Sequence, residues 1–157
     1  MSSTQELDLE RELADAETLA LNMGERFTLP RRKVYRRLLE AGGPLKAYDL
    51  IGVVDSDSHR AKPPTVYRAL DFLCRLGLVH RIESDQSYFA CNHHKQCDAS
   101  SHVPLVFVCL KCGKVQERHV TALEEIISKT AIKRGFKVEK MMLEAHGICA
   151  LCDGKYE

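Results

Sequence analysis

Apolar positions in the first eighty residues recur with a helical period. Leu9, Leu13, Ala16, Ala20 and Met23 fall three or four apart and Gly24 follows, so a first helix is expected to end there. A second is expected from Pro30, with Val34, Leu38 and Ala41 on one face and Gly42, Gly43 and Pro44 as its stop. A third carries Ala47, Leu50, Ile51 and Val54. After the polar stretch 55–61, a fourth contains Pro63, Pro64 and the run to Gly77. Proline has no amide hydrogen to lose in a first turn and its φ is preset, so this last helix has a rigid start. Val66, Leu70 and Leu73, widened by Phe72 and Leu76, form its apolar stripe; Thr65, Tyr67, Arg68, Asp71 and Arg75 fall largely elsewhere.

The period then shortens to two. Residues 78–82 and 87–91 read as strands around the polar turn 83–86. Helices followed by such a hairpin match a winged helix-turn-helix. Residues 92–103 are polar, rich in His and Cys and without period, and read as a hinge loop. Beyond it, 105–108 and 114–117 read as strands. Thr121 and Glu124 form a plausible capping box for a helix with Leu123, Ile126, Ile127 and Ile132 that closes at Gly135, and 136–143 reads as a further strand. The expected fold is α+β: a winged-helix domain over 1–91, a hinge over 92–103 and an α/β domain over 104–157.

Charge sharpens this picture. The net charge is only +1, but residues 1–25 hold one base and seven acids, whereas 26–81 hold twelve bases and five acids. A basic block is the electrostatic footprint of a nucleic-acid surface, although a solvated helix face would also carry it. A recognition helix offers its first residues to base edges, so Tyr67 could touch a thymine methyl or a phosphate, and Arg68 a guanine or a phosphate. The start of the chain has no signal-peptide pattern and no apolar run reaches spanning length. A cytoplasmic protein with no membrane partner is expected.

In a reducing compartment, seven cysteines point to metal rather than disulfides. Cys109-Leu-Lys-Cys112-Gly113 and Cys149-Ala-Leu-Cys152 supply four soft ligands, enough for one closed tetrahedral zinc site pinning the end of the chain to the second domain. Cys74 reads as a small core hydrophobe. Cys91, at the end of one wing strand, could meet His80 on the other. His93, His94, Cys97, His102, His119 and His146 are further candidate ligands that chemistry alone does not rank. No zinc-protease or deaminase signature is present, and four protein ligands leave no position for a reactive water, so a zinc enzyme is the weaker reading.

Together, Lys62-Pro-Pro-Thr-Val-Tyr-Arg-Ala-Leu-Asp-Phe-Leu73, Gly77-Leu-Val-His80, Cys109-x-x-Cys112-Gly-Lys-Val115 and Glu144-Ala-His-Gly-Ile-Cys149-x-x-Cys152 resemble the ferric uptake regulator family, and within it the zinc uptake regulators most. The resemblance runs from about residue 26 to 152. It implies a homodimeric zinc-sensing repressor of zinc-homeostasis genes that binds an inverted-repeat DNA operator, with the second domain as the dimerisation domain. It implies two Zn2+ per subunit: a structural one on Cys109, Cys112, Cys149 and Cys152, and a regulatory one on His80, Cys91, His102 and Glu117 that sets the DNA-binding geometry. A third site drawn from His93, His94, Cys97 or His119 stays open. The implied DNA contacts are Tyr48, Lys62, Thr65, Tyr67 and Arg68. The alternative on the same scaffold is an iron, manganese or peroxide sensor; the soft ligand Cys91 argues for zinc. The family's usual Leu-Thr-Pro-Gln-Arg before the second helix is here Thr28-Leu-Pro-Arg-Arg32, which displaces the capping threonine.

Overall fold

The structure is a computed structural model that describes residues 3–54, 63–91, 103–139 and 141–154. The chain divides into two compact units, Met1–Cys91 and Asn92–Glu157.

The first unit opens with α1 (Ser3–Asn22), α2 (Leu29–Ala41) and the two-residue strand β1 (Leu45–Lys46). A 3-10 turn (Ala47–Leu50) then runs into the short α3 (Ile51–Val54), followed by α4 (Pro63–Arg75) and the hairpin β2 (Val79–Ile82) and β3 (Ser87–Ala90). Leu9, Leu13, Ala16 and Ala20 are buried as their spacing predicts, but α1 stops one residue short of Met23, whose side chain is exposed. α2 begins at Leu29, one residue before the expected start. Thr28 occupies its N-cap in extended conformation with no side-chain capping bond, and Gly42 ends it in the left-handed region at φ 58°. The expected third helix is a 3-10 turn joined to a single α-turn, with Ala47, Leu50 and Val54 buried. Hydrophobic burial of Val34, Tyr35 and Leu38 against Val66, Ala69, Leu70, Phe72 and Leu73 joins α2 to α4 in one core. β1 was invisible to periodicity because two residues carry none. It pairs antiparallel with β3, giving the sheet order β1-β3-β2.

The acidic start and the basic block meet in this unit. Arg32 of α2 pairs with Glu10 at 2.8 Å and Glu17 at 3.5 Å. Arg36 pairs with Glu10 at 2.7 Å, with Glu6 and with Glu40 of its own helix. Lys46 pairs with Asp85 and Arg81 with Glu83. Much of the positive block is therefore matched within the chain, and the sequence count overstates the charge available to a polyanion.

In the second unit β4 (Pro104–Cys109) lies between β5 (Val115–His119), antiparallel, and β6 (Leu143–Gly147), parallel. α5 (Thr121–Lys133) follows β5, and α6 (Ala150–Asp153) follows β6. Two expectations are corrected. The proposed capping box is absent: Val120 is the N-cap, Thr121 is already helical, and the Glu124 carboxylate accepts a 2.9 Å hydrogen bond from the Val103 amide instead. Of the strand expected over 136–143, Leu143 alone lies in a strand among the described residues, residue 140 falling outside them, and Phe136 is exposed. The apolar stripe of α5 is not sealed within one chain: none of its side chains is fully buried, and Ile126 and Ile132 are exposed.

The α1–α2 ion pairs are partly exposed and should be screened by salt. Glu10→Gln should lower the melting midpoint by a few degrees at low ionic strength and by almost nothing at about 1 M salt, as read in paired thermal melts.

Candidate metal centre and nucleic-acid interface

The strand order of the second unit brings the two Cys-x-x-Cys pairs together. β4 ends at Cys109, and the parallel β6 ends opposite it at Gly147. The Leu110 amide donates to the Gly147 carbonyl at 2.8 Å, so the loop after β4 and the segment after β6 leave the sheet side by side. Gly113 closes the first loop at φ 71°, its amide donating to the Cys109 carbonyl at 2.9 Å. Cys149 is the N-cap of α6, which carries Cys152 one turn on, with the Cys152 amide donating to the Cys149 carbonyl at 2.9 Å.

The four sulfurs lie within 4.8 Å of one another. Cys112 Sγ and Cys149 Sγ are 3.8 Å apart, matching the edge, about 3.8 Å, of a tetrahedron with zinc–sulfur bonds of about 2.3 Å. The donor set therefore fits a closed zinc site. The electrostatics agree. The amides of Cys149 and Cys112 hold the Cys109 thiol down at about 6, while hydrogen bonding with Cys149 and Cys112 pushes Cys152 up to about 12. Cys109 thus forms its thiolate readily while Cys152 holds its proton, and a bound dication would favour the thiolate form of both.

In the first unit His80 of β2 pairs with Phe89 of β3, their rings 5.6 Å apart. The Cys91 amide donates to the Leu78 carbonyl at 2.9 Å, which extends the hairpin by one step. Cys91 is two residues beyond Phe89 and so lies diagonally across from His80 on the same face. A His80 ring nitrogen and the Cys91 sulfur come within 4.8 Å, and Cys91 is buried. Glu117 is a buried carboxylate on β5, opposite Val106 of β4. His102, His93, His94 and Cys97 lie outside the described residues. The backbone of His119 pairs with Pro104 at the end of β5. His146 on β6 is 3.2 Å from Glu144. Sequence reasoning did not foresee this His–Glu pair, which an alternating His and Glu on a strand would signal.

α4 is sealed on one face by Val66, Ala69, Leu70, Phe72 and Leu73. On the other, Tyr67 is 49% exposed, Arg68 is exposed and Thr65 is half-buried. Among the described residues no acid pairs with Arg68. Tyr48, on the 3-10 turn, is 82% exposed, unusual for a large ring without a surface to meet. Lys62 lies outside the described residues. Arg75, at the other end of the helix, pairs instead with Glu25 at 2.8 Å, and Arg31 joins the same carboxylate at 3.4 Å. Hydrogen bonding from Arg75, with both guanidiniums nearby, holds the Glu25 carboxyl below the usual carboxylate range.

A profile of the Ferric uptake regulator family matches residues 22–146. The chain belongs to this family. Among ferric uptake regulator family members it is 40% identical to the zinc uptake regulation protein of Escherichia coli (strain K12), over 96% of this chain and 84% of that protein. A solved zinc uptake regulator complexed with zinc and DNA is 39% identical, covers 98% of this chain and 97% of its own, and superposes with a TM-score of 0.82. A crystal structure of holo XcZur, 34% identical over 90% of this chain and 96% of its own, gives 0.78. The α+β fold and the assignment to a family of transcriptional regulators follow. No helix among the described residues is long and apolar enough to cross a membrane.

Removing one thiol opens the tetrahedron and unpins the segment after β6. Cys112→Ser should lower thermal stability and metal content together, seen in melts and in zinc analysis of the purified protein. The pH dependence has a definite sign. The Cys109 thiol is depressed in the folded chain, so its contribution to stability is present above the ordinary thiol range and is lost as pH falls through about 6. Metal-free protein should therefore lose melting midpoint progressively as pH falls from the ordinary thiol range through about 6, read in thermal melts across that window.

Proposed function

We propose that this chain is a zinc-sensing transcriptional repressor of zinc-homeostasis genes, acting as a cytoplasmic homodimer on an inverted-repeat DNA operator. One observation carries the DNA reading: Tyr67 and Arg68 stand exposed near the start of a proline-initiated helix whose opposite face is locked in the core. A guanidinium with no acid beside it among the described residues is free to fork onto guanine, and an exposed phenol can meet a thymine methyl or a phosphate. Tyr48, Thr65 and Lys62 complete the proposed contacts. The exposed Ile126, Ile132 and Phe136 of the second unit support a second copy as the partner, since one chain leaves them in water.

Two zinc sites per subunit are proposed. Cys109, Cys112, Cys149 and Cys152 hold the structural ion. His80 and Cys91, with Glu117 and His102, hold the regulatory one. Bound zinc supplies a dication that draws its ligands into one fixed geometry. The chain's own part is to spread those ligands over both units. His80 and Cys91 ride on the wing hairpin directly after α4, so fixing them orients the helix that reads DNA. Glu117 is a buried carboxylate, a donor type that zinc accepts, which supports its place in the set. Soft Cys91 favours zinc over the iron or manganese of the alternative sensor. No catalytic role is proposed, because four protein ligands at each site leave no position for substrate or water.

Two outcomes test this reading. Cys91→Ser and His80→Ala should stay folded and keep one zinc per subunit, yet require more free zinc for DNA binding in anisotropy titrations over buffered metal. A wild-type zinc response in Cys91→Ser would remove that residue from the sensing site. Arg68→Ala should cost roughly 1–3 kcal/mol on the specific duplex and much less on scrambled DNA. Tyr67→Phe should bind like wild type if the ring, and not the hydroxyl, makes the contact.

A further inference from the structure

Two arginines of the basic block are engaged with the same ring and the same carboxylate, and one of them, Arg31, is largely covered. Arg31, in the first turn of α2, places its guanidinium carbon 3.4 Å from the ring centroid of Phe72 on α4. Arg75 approaches the same ring at 5.7 Å. Glu25, in the connection between α1 and α2, binds both guanidiniums, and Arg31 also donates to the Arg26 carbonyl. Phe27 packs beside this group, its ring 6.3 Å from Phe72 and 6.4 Å from Tyr35. Phe72 is buried and sits one helical turn after Arg68.

We propose that Arg31 and Glu25 are positioning residues: they grip Phe72 and Arg75 and so fix the rotation and axis of α4, on which Tyr67 and Arg68 are presented to DNA. The proposal rests on the reading of α4 as the DNA-reading helix. Arg31 is poorly placed to neutralise a phosphate. Its side chain is only 21% exposed, its charge is answered by Glu25, and its face is spent on the ring. Reaching outward would forfeit the ion pair, the carbonyl bond and the cation–π contact together. Arg68 has none of these ties among the described residues. Two arginines of one helix-turn-helix thus divide the work: one sets the orientation that the other uses. An error of about 1 Å at a base edge weakens directional hydrogen bonds steeply but leaves non-specific attraction to the backbone almost intact.

The division predicts a pattern that neither a phosphate contact nor general stability would produce. The specific duplex is one selected from a random-sequence pool by the zinc-loaded wild type; the control is its scrambled version. Wild type, Arg31→Ala, Arg31→Lys, Phe72→Leu, the Arg31→Ala/Phe72→Leu double variant and Arg68→Ala are titrated zinc-loaded at several salt concentrations. Each is measured well below its own melting midpoint. Arg31→Ala and Phe72→Leu should each lose about tenfold on the specific duplex. Binding to scrambled DNA and the salt slope should stay as in wild type. The double variant should be no worse than the poorer single one, and Arg31→Lys, which keeps a cation over the ring, should be intermediate.

Equal losses on both duplexes in Arg31→Ala, with a salt slope smaller by about one, would make Arg31 a phosphate ligand and overturn the proposal. So would a lowered melting midpoint with unchanged specific binding in Arg31→Ala and Phe72→Leu. If those variants bind as wild type while Arg68→Ala is impaired, the grip is refuted and the reading of α4 stands. If Arg68→Ala also binds as wild type, that reading fails and the grip falls with it.

Discussion

The second unit cannot rest on hydrophobic burial, and much else follows from that. Among its described residues only Val103, Pro104, Val106, Cys109 and Glu117 are buried, and its one long helix seals none of its side chains. A unit of this size buries too small a share of its surface to offset chain entropy unaided and needs a staple or a partner. Four sulfurs within 4.8 Å of one another are the proposed staple. Zinc held by them would couple folding to metal binding. The apolar residues left on α5 are what a second copy would cover.

The first unit is built on the opposite principle. Its core is continuous across α1, α2, α4 and the hairpin and is built from apolar side chains. It can therefore present α4 as a rigid body. The proposed regulatory ligands His80 and Cys91 stand on the hairpin that follows this helix, so a ligand contact at the hairpin is passed directly to it. In the proposed sensor a rigid reader is joined to a metal-binding unit, and zinc would leave the reading surface itself unchanged.

The charge pattern illustrates how composition can mislead. Twelve bases over 26–81 suggest a wide phosphate-binding face. In the folded unit Arg32 and Arg36 answer the acids of α1, Arg31 and Arg75 share Glu25, and Lys46 and Arg81 pair within the wing region. Net charge along a sequence says nothing about which charges are already matched in space. The exposed Arg68 thus carries more of the argument for DNA than the block as a whole.

What the sequence determined by itself was local. The proline start of α4, the buried stripe of α1, the hairpin turn and the two Cys-x-x-Cys pairs all depend on residues within a few positions of one another, and spacing expresses them directly. The His80 and Cys91 pairing was legible for the same reason, since a short hairpin leaves little freedom of register. Contacts between distant segments were not legible. The two-residue β1 exists only because β3 offers it an edge, and Glu124 caps no helix because the Val103 amide, twenty-one residues away, claims its carboxylate. Among the described residues, the strand expected from 136 pairs only from Leu143, which lies opposite Leu105 of β4. Arg31 looked like one more surface cation until folding laid it on Phe72, forty-one residues further along the chain. Tertiary structure decides such cases because a side chain's partner is chosen by proximity in space, and proximity between remote segments is created only when the core closes.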